Sequence, residues 1–442
     1  MIKRNFVSLI IVIINLLIVI SFWGCSSLSH VEDKVYPKIV INDIDMAGKT
    51  KEEAIKILES KSIVPDKQII INANNKKYIL NTKDLKSHNN IKEIVDKAFS
   101  YARDLSPEKK SESIKSSKER KFSTTETFNK DIIINLLTKI EKEVNEKEKN
   151  ASVKGVKSGK LIINDHIAGK KLNKEKLHKD ILTKIKNKDN SIINAEVKDV
   201  PPDITKGELS TMNAIISSYE TKYSITEAER VYNIGLATKA ISGTLIMPGE
   251  TFSFNKIVGK RTPERGYKQA PIIIDNKLEK GDGGGVCQVS TTLYNTIIRL
   301  NIMSLERSNH TLAPLYIQPG FDATVSEAID YKFKNTLKYP IYIEGIISKG
   351  TVKFNVYSNS SLNNIKYDLV NEIYEKATPK TIYREDPNLN LGIKKQEQKP
   401  HIGYKVKVYI VEKKSGKITN KKLISNDNYD MTNEVIKVGI KK

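Results

Sequence analysis

The chain has 442 residues, 39% of them hydrophobic, and a net charge of +22. That length predicts two to four domains with real cores, and that charge calls for an anionic partner, either nucleic acid or an envelope surface. The cysteines, Cys25 and Cys287, stand too far apart in role for a disulfide framework, and with six scattered histidines they exclude a zinc site, so no metal or other cofactor is expected.

The N-terminus chooses between the partners. Lys3 and Arg4 precede an almost unbroken apolar run from Phe6 to Trp23. Residues 1–25 therefore read as a signal peptide or a single membrane anchor with its positive end inside. The run ends Gly24-Cys25-Ser26-Ser27, which resembles a bacterial lipoprotein cleavage box with Cys25 as the lipidated residue. Phe22 and Trp23 are bulkier than such a box prefers, so lipidation of Cys25 and an uncleaved helix both stand. Either one places the rest of the chain at the extracytoplasmic face of the membrane or in the wall. Nucleic acid then drops out as a partner, and anionic wall polymers or lipid suit the charge.

A strand is expected at Ile39-Val40-Ile41, then a helix from Lys51 capped by Thr50, with Glu53 closing a capping box. Residues 68–80 read as two strands around Asn74-Asn75. A helix follows over 91–102. Residues 103–125 are charged and serine-rich and read as an exposed loop outside the core. Helices are expected over 129–144 and 173–187, with a strand at Gly159–Ile163 and a turn at Gly169 between them. This repeats the earlier order of strand, glycine turn and capped helix, a weak internal duplication. A strand over Ile193–Val197 and Pro201-Pro202 close the segment, and 203–212 read as a linker. Beyond it come a helix from Arg230 to about Ser242, a turn and short strand over 247–255, a loop over 261–267, and strands near 339–347 and 351–357. In the tail, 386–400 read as a polar loop, and Gly403–Tyr409 alternate as one arm of a hairpin. The fold class is α+β: a mixed helix and strand domain over 35–205, an α+β domain over 212–358, and a strand-rich tail over 360–442.

The densest stretch is Gly281-Asp282-Gly283-Gly284-Gly285-Val286-Cys287-Gln288-Val289-Ser290. Val289, Leu293, Ile297 and Leu300 recur at helical spacing, so Cys287 stands where a glycine-rich loop becomes a helix. The first N–H groups of a helix lack intrahelical partners and carry partial positive charge. Both favour thiolate and lower the thiol pKa. Glycines also let a substrate approach the backbone, whose N–H groups could hold an oxyanion. The loop lacks the Gly-Lys-Ser/Thr ending of a nucleotide-binding loop. A buried structural cysteine is the alternative.

A thiol nucleophile needs a base and an orienting group. His310 is the candidate base, because the other histidines fall outside the central domain. Asp322 is the candidate orienting group, although an aspartate after Pro319-Gly320 is also ordinary turn chemistry. Arg261 or Arg307 could hold a substrate carboxylate in a bidentate contact or serve as structural ion pairs. Gly284, Gly285, Gln288 and Ser290 complete the candidate substrate-binding set.

The central stretch resembles the VanW family from about Tyr219 to about Phe354. The blocks that carry the resemblance are Arg230-Val231-Tyr232-Asn233-Ile234, Pro248-Gly249-Glu250-Thr251-Phe252-Ser253-Phe254-Asn255, Arg261-Thr262, Gly266-Tyr267, Gly283 through Asn295, Glu306-Arg307 with His310, and Asp322-Ala323-Thr324-Val325. Residues 35–205 resemble the peptidoglycan-binding domain found before VanW domains, on Ile44 through Ala54 and Gly169-Lys170-Lys171-Leu172. The resemblance implies peptidoglycan cross-linking of the L,D-transpeptidase type, with Cys287 as the nucleophile. The Ser-His-Gly-Cys run of other L,D-transpeptidases is absent, so any shared chemistry uses a different site. The implied partners are peptidoglycan stem peptides. The alternatives are stem trimming by a cysteine peptidase and a non-catalytic wall-binding protein.

Overall fold

A computed structural model describes residues 33–61, 67–115, 118–274, 277–414 and 416–441. The N-terminal apolar run and Cys25 lie outside the described residues. Among those described, no helix is long and apolar enough to cross a membrane. The chain forms two units, one of residues up to 148 with 168–201, the other of 149–167 with 202–442.

In the first unit, local chemistry places most elements where the sequence pattern put them. The Lys51–Glu59 helix starts on a complete Thr50–Glu53 capping box, and it packs Ala54 and Leu58 against Ile91, Val95 and Ala98 of the Ile91–Ser100 helix. Strands Gln68–Ala73 and Lys76–Asn81 form a hairpin, with Asn74 and Asn75 at the positive φ angles of a tight turn. Helices Lys130–Val144 and Lys174–Asn187 cover that hairpin through Ile133, Leu137, Ile140, Leu177 and Ile181.

Four expectations over residues 103–212 need correction. Residues 103–125 hold a helix, Pro107–Lys115, and a strand, Arg120–Phe122, that pairs in parallel with Ile39–Ile41. Backbone hydrogen bonds carry that strand, and among the described residues of this stretch Ile114 and Phe122 are the ones packed on the core, so composition alone hid it. The 160–164 strand pairs with Ser152–Lys157, and this hairpin belongs to the second unit, where Val153, Leu161 and Ile163 pack near Leu209, Met212, Tyr342 and Tyr357. Strand Gly169–Leu172 precedes the 174–187 helix instead, so the duplication does not hold as drawn. The linker also contains a capped helix, Lys206–Ser210.

The second unit is built on a four-stranded antiparallel sheet in the order Ala214–Lys222, Thr351–Ser358, Ile341–Ser348, Thr244–Ile246. Helices Ala228–Ile241 and Val286–Ile298 pack on it, with Ile234, Ala237, Val289, Leu293 and Ile297 meeting Ile343, Val352, Phe354 and Val356. A smaller sheet joins Thr251–Ser253, Lys332–Lys334 and Ser304–Glu306, and Phe252 stacks on Phe333 at 4.8 Å. The tail forms two three-stranded sheets. One is Lys366–Ala377, Gly403–Lys414 and Lys417–Tyr429; the other is Thr381–Asn390, Glu434–Lys441 and Lys394–Gln398. The expected 386–400 loop is thus largely strand. Its side chains are almost all exposed, so ladder pairing rather than burial defines it. Leu369, Val406, Val408, Ile410 and Tyr429 share one core with Phe321 and the Cys287 helix.

Candidate active site

Val286–Ile298 is a helix on which almost every side chain is buried, polar ones included. An apolar stripe alone would leave one face wet, so the polar face must find partners. Ser290 Oγ donates to the Ala323 carbonyl at 2.6 Å, Thr291 Oγ1 accepts from Ala323 N–H at 3.0 Å, and Asn295 Nδ2 donates to the Phe321 carbonyl at 2.7 Å. These bonds strap residues 321–323 along the helix, and Asp322 stands in the middle of that strap. Thr292 meets Thr221 of the sheet at 2.7 Å on the other side.

The glycine loop enters this helix through Gly285, whose φ of 103° is the left-handed conformation that a side chain would strain. A Cβ there would also lie 2.9 Å from Arg230 Cγ. Asn233 fixes the loop by donating to the Gly284 and Lys268 carbonyls and accepting from Lys268 N–H. Val286 N–H and Gln288 N–H bond to the Gly283 and Gly285 carbonyls, so neither is free for an oxyanion.

Cys287 is half-buried at the helix start, and its Sγ–H donates to the Val325 carbonyl at 3.3 Å. That contact belongs to the neutral thiol. Burial pushes the thiol up, but the hydrogen bond and charge of His310, with Arg261 behind them, outweigh it and hold the thiol below its ordinary value of 9.0. His310 Nδ1 lies 2.5 Å from Asp322 Oδ2, and His310 N–H donates to the same oxygen at 2.7 Å. This leaves the other ring nitrogen for the sulfur. Burial opposes the imidazolium, yet Asp322 and Cys287 push its pKa up to about 10. Each member of the pair thus stabilises the charged form of the other.

Asp322 is fully buried. Burial alone would raise its carboxyl, but His310, Arg307 and Tyr429 hold it below the usual range. Tyr429 donates its hydroxyl to Asp322 Oδ1 and accepts the Gly320 N–H at 2.7 Å. Gly320 has φ 94°, and a Cβ there would lie 2.5 Å from Val408 Cγ2, so glycine lets the tail sit this close.

Cys287, His310 and Asp322 thus converge. The substrate-binding candidates divide. Arg307 is 8% exposed and committed: Nη1 bonds both Asp427 oxygens at 2.7 and 2.8 Å, Nε the Asp322 carbonyl, and Nη2 the Gly320 carbonyl. It is a structural ion pair rather than a carboxylate clamp. Gln288 is buried too, joined to Thr221, Lys222 and Arg230. Ser290 has its hydroxyl on Ala323 and the Cys287 carbonyl. Gly284 packs against the Ala270–Pro271 backbone. Burial closes these positions because the helix is wrapped on all sides. Arg261 is different: it is half-buried, its charge reaches Cys287, and its Nη2 donates to Asn255 Oδ1 at 2.7 Å.

Sequence reasoning missed four contributors. Arg230 grips Gln288 at 2.6 Å. Tyr316 places a buried hydroxyl near Thr291 and within reach of the Cys287 charge. Asp427 and Tyr429 come from the tail; their i, i+2 spacing marks one face of a strand, but nothing in sequence says where that face docks. Among the described residues, no group of His, Cys, Asp and Glu could hold a metal ion.

The fold and this site define a multidomain α+β protein carrying a Cys–His–Asp constellation. Residues 229–357 match the family "VanW like protein", so this part of the chain is a VanW-like domain. Residues 78–194 match "Putative peptidoglycan binding domain" and 370–441 match "G5 domain". Together these matches tie the chain to the cell wall. It is similar to Uncharacterized protein YoaR of Bacillus subtilis (strain 168), 41% identical over 34% of this chain and 49% of that protein. It is also similar to Vancomycin B-type resistance protein VanW of Enterococcus faecalis (strain ATCC 700802 / V583), 36% identical over 25% of this chain and 42% of that protein. The chain thus spans less than half the length of either relative. Two solved structures are similar: an IgA1 protease G5 domain (18% identical, 18% of this chain, 92% of that chain, TM-score 0.14) and HP0197-G5 (28% identical, 17% of this chain, 95% of that chain, TM-score 0.12).

Proposed function

We propose that the protein cross-links peptidoglycan stem peptides by cysteine acyl transfer of the L,D-transpeptidase type. The observation that carries this reading is the Cys287–His310–Asp322 alignment, in which a buried carboxylate holds the imidazole and the imidazole lies close enough to the thiol to lower its pKa. Cys287 thiolate attacks the carbonyl joining diaminopimelate to terminal D-Ala of a donor stem. The C–N bond breaks, His310 gives its proton to the departing D-Ala amine, and a thioester remains on Cys287. The acceptor amine of a second stem then attacks the thioester. His310 takes the amine proton, a new amide forms, and the thiolate is restored. Asp322 keeps the ring oriented and offsets its charge throughout.

The oxyanion needs donors. Cys287 N–H has no backbone partner among the described residues, unlike its neighbours on either side. The Tyr316 hydroxyl and Arg261 stand near enough to the thiol to feel its charge. These three groups form the donor set, in place of the Val286 and Gln288 amides, which are bonded to the Gly283 and Gly285 carbonyls. Arg261 also suits the donor-stem carboxylate.

The test is intact mass of the full chain, purified in detergent, after mixing with tetrapeptide stem. The expected result is a thioester adduct with loss of D-Ala, absent in Cys287→Ala, followed by stem dimers. Trimmed stems without dimers would make the site a hydrolase. Folded protein that binds sacculi but yields neither adduct nor product would replace the catalytic reading with a wall-binding one.

A further inference from the structure

Asp322 lies where the central domain meets the tail, and every element packed on it presents a titratable or charged group. His310 and Arg307 face it from the segment before it. Tyr294 faces it from the Cys287 helix and Tyr316 from the loop after His310. Tyr429 and Asp427 come from the tail strand Lys417–Tyr429. The thiol itself is faced by His310, Arg261 and Tyr316.

The tail contacts have a direction. The Tyr429 oxygen accepts the Gly320 N–H, so its single proton is aimed at Asp322 Oδ1. Asp322 Oδ2 is then left to the two His310 donors. Without Tyr429, the nearest donor to Oδ1 is Arg307 Nη2 at 3.5 Å, too long to replace it. Asp427 in turn holds Arg307 from the far side in a two-oxygen contact.

We propose that the C-terminal domain sets the charge state of the Cys287 thiol through two opposed positioning residues: Tyr429 keeps Asp322 an anion beneath His310, which favours the thiolate, and Asp427 cancels the Arg307 charge, which alone would favour the thiolate further. This assigns the tail a role inside the site rather than one of wall attachment alone. It rests on the Cys287–His310–Asp322 reading given above, and the experiment separates the two.

The readout is the pH dependence of Cys287 alkylation by iodoacetamide in the full chain, followed by intact mass. Tyr429→Phe removes one donor from a buried carboxylate. Asp322 then protonates more readily, and the acid limb of the profile moves up by about one pH unit. Asp427→Asn leaves the Arg307 charge uncompensated beside the site, and the limb moves down by about half a unit to one unit. Opposite shifts are the signature, because loss of stability alone does not change sign between variants. Tyr383→Phe, at an exposed tail tyrosine, should titrate as wild type. Two folded variants with the wild-type limb, or two that shift the same way, overturn the proposal. If Tyr429→Phe does not fold, the downward shift in Asp427→Asn decides alone. A wild-type thiol that titrates at its ordinary 9.0 overturns the site reading beneath it instead.

Discussion

Replacing Asp322 by Asn tests the site without needing its substrate. Asp322 accepts two bonds from His310 and is the largest influence raising the imidazolium, which stands at about 10 against an ordinary 6.5. Asn is isosteric but uncharged, and its Nδ2 can face His310 with the wrong polarity. The roughly 3.5-unit elevation corresponds to an upper limit of about 5 kcal/mol of imidazolium stabilisation. Most of it should vanish. Burial then dominates at Cys287, and the thiol returns to 9.0 or above. A thiol at 9.0 is ionised to about 1% at pH 7. Alkylation at pH 7 should therefore fall by about 10- to 100-fold, and recover above pH ~9, where the thiol ionises unaided. Pseudo-first-order iodoacetamide kinetics across pH 5–10 measure this, with a melting curve to confirm the fold. A folded Asp322→Asn variant whose rates stay within about twofold of wild type across that range would refute the reasoning, since a thiol so insensitive to the carboxylate is not held by this triad.

Arg307→Met breaks a buried pair and strands both Asp427 and Asp322, so it should cost about 3–5 kcal/mol in thermal unfolding; a stable variant with only a raised KM would restore Arg307 as a carboxylate clamp. Gly320→Ala forces a Cβ to within 2.5 Å of Val408 at a positive φ, and should destabilise by about 1–3 kcal/mol; an unchanged melting temperature would mean that the tail does not seat there. The raised His310 pKa stabilises the folded state fully below pH 6.5, and the gain is lost as pH rises through the folded value. The lowered Cys287 runs the opposite way, so Cys287→Ala is the proper background. In it, His310→Gln should reduce the decline in melting temperature above pH 6.5, and identical slopes with and without His310 would contradict this.

Local chemistry carried most of the element pattern. The Thr50–Glu53 box, the Asn74-Asn75 turn and the Val289–Leu293–Ile297 stripe each depend on neighbours within a few residues, and all form as their patterns indicate. Residues Arg120–Phe122 and 386–400 were invisible for the converse reason. Their strands exist because backbone groups pair with Ile39–Ile41 and Glu434–Lys441, and a polar, exposed side-chain pattern leaves no trace of that pairing.

The site divides along the same line. Cys287 and His310 were legible because they are the one cysteine and the one histidine of the central domain and a glycine loop precedes the thiol, whereas Asp322 is one carboxylate among many there and read equally as a turn residue. The roles of Gln288, Ser290 and Arg307 were not, because their chemistry suits a substrate as well as it suits a core. Burial decided between the two. A helix wrapped on every side has to satisfy its own polar groups, so these residues bond the backbone and each other. Asp427 and Tyr429 lie more than a hundred residues from the aspartate they support. Sequence alone determined that a reactive thiol could exist at Cys287. Only the tertiary structure decided that a strand of the tail closes the back of its triad, because that contact joins surfaces that no local pattern connects.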